Sequence, residues 1–75
     1  MMQPETTKKQ DKVLTYFKKY EKKTGEPPTM RQAAFDLGYK FPGSVHALLR
    51  ALEEKGLMRR MRGMWYAVEK DNATA

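Results

Sequence analysis

The sequence has 75 residues, no cysteine, and 15 lysines and arginines against 9 aspartates and glutamates. This length allows one small domain and excludes a multidomain enzyme, and without cysteine neither a disulfide framework nor a thiolate zinc site can stabilise the fold. The net charge of +6 favours a polyanionic partner such as nucleic acid. No apolar run approaches the roughly 18 residues of a membrane span, and the polar first residues do not resemble a signal peptide. We therefore expect a soluble, cytoplasmic protein that needs no cofactor and binds no membrane.

The first predicted helix begins after Thr7, which forms a capping-box pattern with Gln10. Apolar residues then recur at spacings of three and four over positions 13–20, so they form one stripe. The lysines on the opposite face, which we expect to be solvated, are Lys8, Lys12, Lys19 and Lys22. Gly25 is the predicted end of this helix. Residues 1–6 are expected to be disordered.

A short second helix is predicted from Met30 to Leu37. The two prolines before it, at positions 27 and 28, prevent the first helix from continuing. Thr29 and Gln32 repeat the capping-box pattern, and Gly38 is the predicted end.

The third predicted helix has the clearest periodicity in the chain. Its apolar residues at i, i+3, i+4 and i+7 are Val45, Leu48, Leu49 and Leu52. Pro42 fits the first helical position, but Phe41 is a poor N-cap, so a start at Ser44 stays open. Gly56 ends the helix. The residues exposed on the opposite face are Gly43, His46, Ala47, Arg50 and Glu54.

The chain after position 57 changes to a strand pattern on both sides of Arg62-Gly63, which indicates a β-hairpin with a two-residue turn. The predicted cross-strand pairs are Met61 with Met64, Arg60 with Trp65, and Arg59 with Tyr66. Residues 69–75 show no apolar periodicity and are expected to be a disordered tail.

This order of elements is that of a winged helix-turn-helix: a mainly α fold, with a three-helix bundle plus a two-stranded wing, over residues 7–68. A set of local motifs agrees with it: Thr24-Gly25-Glu26-Pro27-Pro28-Thr29, Leu37-Gly38-Tyr39, Ser44-Val45-His46, Leu49, and Leu52-Glu53-Glu54-Lys55-Gly56-Leu57-Met58-Arg59-Arg60. In these motifs and their spacing the sequence resembles the amino-terminal DNA-binding domain of LexA-type repressors. The resemblance implies sequence-specific binding of double-stranded DNA by a transcriptional regulator, a small repressor, with the third helix in the major groove.

The resemblance also implies which residues contact DNA. The base-contacting positions are Phe41, Gly43, Ser44, His46 and Ala47, and Arg50 joins them because it lies on the same exposed face one turn after His46. The residues assigned to the DNA backbone are Thr29, Arg31, Lys40, Arg59, Arg60 and Arg62. The family usually has a small polar residue at position 41, and Ala47 supplies no hydrogen bond, so the family's operator sequence does not carry over.

Several of these residues have a structural alternative. We expect Phe41 to pack under the turn between the second and third helices; if exposed, it would meet a thymine methyl group. Arg60 is a candidate to stack on Trp65, and Arg50 to pair with Glu53 or Glu54. The three methionines of the hairpin, Met58, Met61 and Met64, are expected to fill the core, although they would also suit a docking surface.

No enzymatic function fits this sequence. LexA proteins continue into a Ser-Lys self-cleaving and dimerising domain that has no counterpart here, and Ser44 is the only serine. We therefore expect a monomer whose copies meet on DNA through the first helix and the wing, in a bacterial cytoplasm or on a phage genome. The alternative is a winged-helix adaptor that docks on polymerase or on another regulator.

Overall fold

Three helices precede an antiparallel hairpin in the computed structural model, which describes residues 6–68. The elements are α1 (Lys8–Thr24), α2 (Met30–Leu37), α3 (Pro42–Glu54), β1 (Met58–Met61) and β2 (Met64–Ala67). The predicted fold class is confirmed. The disorder expected for the two ends concerns residues that, Thr6 excepted, lie outside the described part of the chain.

The predicted cap of α1 is confirmed in both halves. The backbone N–H of Gln10 donates to Oγ1 of Thr7 at 3.1 Å, and the N–H of Thr7 donates to Oε1 of Gln10 at 3.3 Å. Only half of the box predicted for α2 forms. The N–H of Gln32 donates to Oγ1 of Thr29 at 3.0 Å, but the Gln32 side chain donates to Oδ1 of Asp36 at 3.0 Å instead of returning to the cap.

The start of α3, which the sequence left open, lies at Pro42. Phe41 occupies the N-cap position in an extended conformation and makes no capping hydrogen bond with its side chain. At the other end, Gly56 adopts a positive φ of 79°, and the N–H of Leu57 returns to the carbonyl of Leu52 at 2.9 Å. This reversal directs the chain into β1.

A single apolar cluster holds these elements together. Its buried members are Val13, Leu14, Phe17, Ala33, Ala34, Val45, Leu49, Leu52, Leu57, Met58 and Trp65. Leu37 and Leu48 pack against this cluster and are half-buried. Pro27 and Pro28 are also buried, so the segment between α1 and α2 is packed, where the sequence indicated only a turn.

The predicted register of the hairpin is confirmed, with Met61 opposite Met64 and Arg60 opposite Trp65. Arg62 and Gly63 both have positive φ, at 53° and 78°, as a type I′ turn requires. The N–H of Val68 donates to the carbonyl of Leu57 at 2.9 Å, which closes the open end of the hairpin.

One prediction about the hairpin methionines is wrong. Met58 is buried, but Met61 is 45% exposed and Met64 is half-buried. Residues three apart along a strand point to opposite faces of the sheet. Met58 and Trp65 therefore face the core, whereas Met61 and Met64 pair on the other face.

Candidate nucleic-acid interface

The outer face of α3 is open and built from small residues. Gly43, Ser44 and Ala47 are all exposed, and Arg50 follows them on the same side. A Cβ atom added to Gly43 would meet nothing within 4 Å. Because the opposite face of the helix is fixed in the core, this surface is held rigidly and allows a close approach by a ligand.

Trp65 connects the hairpin to α3. The His46 ring meets the Trp65 ring edge-on, with centroids 5.9 Å apart and planes at 72°. The guanidinium carbon of Arg60 lies 5.7 Å from the Trp65 ring centroid, so the predicted cation–π pair is confirmed. His46 is consequently half-buried against the hairpin, where the sequence placed it on the free face of α3.

Four cations lie on the segments that precede and follow α3 in the chain. Arg31 comes from the first turn of α2, Lys40 from the turn before α3, and Arg59 and Arg62 from the hairpin. All four are exposed, and none is paired with a residue of the described chain. They are free to bind an anion.

The remaining polar side chains at this surface differ in whether they already form a hydrogen bond or ion pair within the protein. Arg50 forms no ion pair with Glu53 or Glu54 within residues 6–68. The Thr29 hydroxyl accepts the N–H of Gln32 and keeps its own O–H to donate. Lys55, by contrast, donates from Nζ to Oε1 of Gln10 at 2.6 Å, which joins the end of α3 to the start of α1.

The expected packing of Phe41 beneath the turn is wrong. Its side chain is 66% exposed, whereas Tyr39 packs against the core cluster from the same turn. Tyr39 is thus the aromatic residue of this turn that contacts the core. Phe41 instead presents its ring at the first turn of α3, beside Gly43 and Ser44.

A hydrogen-bond network that the sequence analysis missed orients α2 against α1. The Tyr16 hydroxyl donates to Oδ2 of Asp36, and Gln32 donates to Oδ1 of the same carboxylate. Burial, reinforced by the bond to Asp36, raises the pKa of Tyr16 well above its usual range. The only sequence signal was the i, i+4 spacing of Gln32 and Asp36.

Residues 2–64 match the LexA DNA binding domain in a comparison with models of protein families. The chain belongs to the LexA DNA-binding domain family. The resemblance inferred from its motifs is thereby confirmed.

Individual LexA relatives agree with this assignment. The chain is 41% identical over 59 residues to the LexA repressor of Caldicellulosiruptor saccharolyticus and, over the same length, to that of Pelotomaculum thermopropionicum. It is 42% identical over 53 residues to the LexA repressor of Syntrophomonas wolfei. The matched segment is 79% of this chain and 29% of the first two relatives, and 71% and 26% in the third comparison. The chain therefore corresponds to less than a third of the length of these LexA repressors.

The described part of this LexA-type domain has neither a cluster of metal-binding side chains nor a membrane-spanning helix. Within residues 6–68, no group of three His, Asp or Glu side chains is placed to hold a metal ion. No helix in that range is long and apolar enough to cross a bilayer.

Proposed function

We propose that this domain binds double-stranded DNA sequence-specifically and acts as a small transcriptional repressor. The observation that carries the proposal is the open outer face of α3, together with the exposed, unpaired cations Arg31, Lys40, Arg59 and Arg62 on the neighbouring segments. The major groove admits an α-helix. With α3 in that groove, the flanking cations would lie towards the phosphates on either side.

The proposed base contacts combine apolar, polar and charged groups. They are Phe41, Gly43, Ser44, His46, Ala47 and Arg50. Arg50 has the fork of donors that matches O6 and N7 of guanine, and Phe41 and Ala47 suit a thymine methyl group. Gly43 allows the backbone to approach the base edges. Since Ala47 makes no hydrogen bond, discrimination depends on Arg50, Ser44 and His46 for polar contacts.

The proposed backbone contacts position the domain without reading sequence. They are Thr29, Arg31, Lys40, Arg59, Arg60 and Arg62. Thr29 and Arg31 lie at the amino-terminal end of α2, where the helix dipole favours an anion. Arg60 keeps its stack on Trp65 and remains exposed, so the same side chain can also reach a phosphate.

Repression is the regulatory outcome that the relatives support, since their names describe repressors. A bound domain would act by occupying its site, which requires positioning on DNA and no catalysis. Its place of action would be the bacterial cytoplasm, on the chromosome or on a phage genome.

The test is selection of bound sites from random duplexes at moderate salt, followed by titration of the selected site over a range of salt concentrations. We expect one enriched motif and, from about four to seven phosphate contacts, a slope of log K against log salt of about −4 to −6. Arg50→Gln should alter the motif, whereas Lys18→Gln on α1 should leave it unchanged. No enriched motif together with a slope near zero would contradict DNA binding.

That negative outcome would favour the protein-adaptor function. The observation on its side is the exposure of two apolar side chains, Met61 in the hairpin at 45% and Phe35 on α2 at 80%. Exposed apolar groups of this size are common at protein interfaces.

A further inference from the structure

The positive charge of this protein is concentrated on α1, away from the proposed groove-binding helix. α1 carries seven lysines and two acidic residues, a net charge of +5 out of +6 for the whole chain. Only +1 is left for all the other residues together. Most of the net charge of the chain therefore lies on α1, although Arg31, Lys40, Arg59 and Arg62 are themselves unpaired within residues 6–68.

The lysines of α1 form a continuous outer face. At about 100° per residue, five of them fall within an arc of about 100°: Lys8, Lys12, Lys19, Lys22 and Lys23. This set is called the α1 lysine face below. Thr15 is the other residue in the arc, Asp11 lies just outside it, and Glu21 lies on the buried side of the helix, between Phe17 and Leu14. All five lysines are exposed and none is paired with a described residue.

This face points away from the outer face of α3. The buried sides of both helices meet in one core, where Val13 and Phe17 of α1 join Val45 and Leu49 of α3. Two packed helices, each about 10 Å across, place their outer surfaces about 20 Å apart. That separation is about two Debye lengths at 0.1 M salt. The phosphates of a duplex bound to α3 would therefore neutralise little of the charge on the α1 lysine face.

We propose that the α1 lysine face binds a second DNA duplex, so that one copy of the protein bridges two DNA segments. This inference rests on the proposed function, which supplies the first duplex. Across its width the face presents only lysines and Thr15. The nearest aromatic rings, Tyr16 and Tyr20, are half-buried at its edge beside Lys19 and Lys23, so the face lacks the central anchor on which protein interfaces depend. Duplex DNA, with one charge per about 1.7 Å of axis, is recognised by charge alone. Those two facts favour DNA over an acidic protein as the occupant.

The two faces would differ in what they recognise. The α1 lysine face has only flexible ammonium groups to offer, and these contact phosphates as point charges without reading bases. Its binding is therefore weaker, independent of sequence and steeply dependent on salt. A protein bound to its site by α3 would hold neighbouring DNA, and a protein on random DNA would pass between segments without full release.

The experiment measures stoichiometry with the full chain and an excess of a duplex of about 16 base pairs carrying the selected motif, at about 50 mM salt. Native mass spectrometry, supported by sedimentation, separates complexes of one protein with one duplex from those of one protein with two. We expect both for the unaltered protein. Bridging by a protein dimer would instead give two proteins with two duplexes.

The decisive variant combines Lys12→Gln, Lys19→Gln and Lys23→Gln. Glutamine has nearly the helix propensity of lysine, so circular dichroism should show an unchanged fold. We expect the first duplex to bind within about threefold of the original affinity and the second at least about tenfold more weakly.

A matched control removes the same charge from the other side of the domain. It combines Arg31→Gln, Lys40→Gln and Arg62→Gln, and we expect it to weaken the first complex by at least about tenfold. Bridging is overturned if the unaltered protein never binds a second duplex, if the lysine variant still does, or if two duplexes appear only with two proteins. The proposed function fails separately, if no complex with one duplex forms or if only the lysine variant abolishes it.

Discussion

The exposed ring of Phe41 leads to a prediction about a single methyl group on DNA. If this ring contacts a thymine, replacing that thymine by deoxyuridine should weaken binding about fourfold, because one buried methyl is worth about 0.8 kcal/mol. Phe41→Ala should bind the two duplexes equally. The measurement is a set of titrations in which each thymine of the selected site is replaced in turn. If no thymine is sensitive in the unaltered protein, Phe41 does not read this group.

Two arginines should differ in the kind of binding that they support. Arg50→Ala should lower the affinity for the selected site by about 1–3 kcal/mol and affect random duplex much less. Arg62→Ala should weaken both to a similar extent, since a phosphate contact carries no sequence information. Alanine keeps the Cβ that is already held at the positive φ of 53°, so this change removes the charge without altering the strain of the turn. Equal losses on specific and random DNA for both variants would show that their roles are misassigned.

Individual residues were predictable where their partner lies in the same helix or the same hairpin. The stack of Arg60 on Trp65 follows from the register of a two-residue turn, which the sequence supplies. The contact of His46 with the same tryptophan joins α3 to the hairpin, and no local pattern encodes that meeting. Burial was wrongly predicted for Phe41 because it was assigned by hydrophobicity, whereas in the fold Tyr39 is the aromatic residue of this turn that contacts the core.

At the level of elements, the contact between α1 and α2 depends on Tyr16. Tyr16→Phe removes the hydroxyl that donates to the Asp36 carboxylate, and we expect it to destabilise the domain at pH 7 by about 0.5–1.5 kcal/mol. The measurement is denaturant unfolding of both proteins at neutral and alkaline pH.

The same pair of proteins gives a pH dependence whose sign follows from the raised pKa of Tyr16. Above about pH 10 the unfolded chain releases the tyrosine proton and the folded chain keeps it, so the original protein loses stability as pH rises. The Tyr16→Phe variant has no hydroxyl at this position, so it lacks this pH-dependent loss of stability. The difference between the two should therefore shrink above about pH 10, and a constant difference would show that the hydroxyl is not held in the folded state.

Element boundaries were the most predictable feature, because they depend on neighbouring residues alone. Threonine caps and glycine ends were placed correctly for α1 and α2. The capping box of α2 failed in one half because Gln32 has a second partner, Asp36, one turn further on. The i, i+4 spacing of this pair is a local signal, but the bond from Tyr16 of α1 that also holds the Asp36 carboxylate depends on the tertiary fold.

For the whole molecule, stability should depend on a few fully buried leucines. Leu52 is 0% exposed within the core cluster, and Leu52→Ala should cost about 2–5 kcal/mol. A domain of this size holds only about 3–5 kcal/mol, so most of the population should unfold. Leu48→Ala, at a half-buried position of the same helix, is the control and should cost less. Near-identical melting curves for Leu52→Ala and the unaltered protein would show that Leu52 does not contribute to the core.

Two copies of the domain are expected to assemble on one DNA site. One domain reaches about one half-site, and single DNA-binding modules bury only about 600–1,000 Å² of protein surface. We therefore expect two copies to bind a two-fold site cooperatively, with half-sites about 10–10.5 base pairs apart or a multiple of that. The charge of α1 changes the expected contact between them. Two helices of net charge +5 repel each other, whereas the hairpin arginines would be neutralised by the phosphates that they are proposed to contact. The wing, with Met61 exposed beside its turn, is therefore the surface expected to meet its copy.

Changing the spacing of the half-sites tests this contact. Inserting about five base pairs, half a helical turn, places the second copy on the opposite side of the duplex. Cooperativity should then disappear, and inserting about ten base pairs should restore part of it. Met61→Ser should have the effect of the five-base-pair insertion on the original spacing, because it removes the apolar side chain at the contact without adding a charge beside Arg60 and Arg62, so each half-site should keep its own affinity. If the second copy binds with the same affinity at every spacing, the two copies do not touch on DNA.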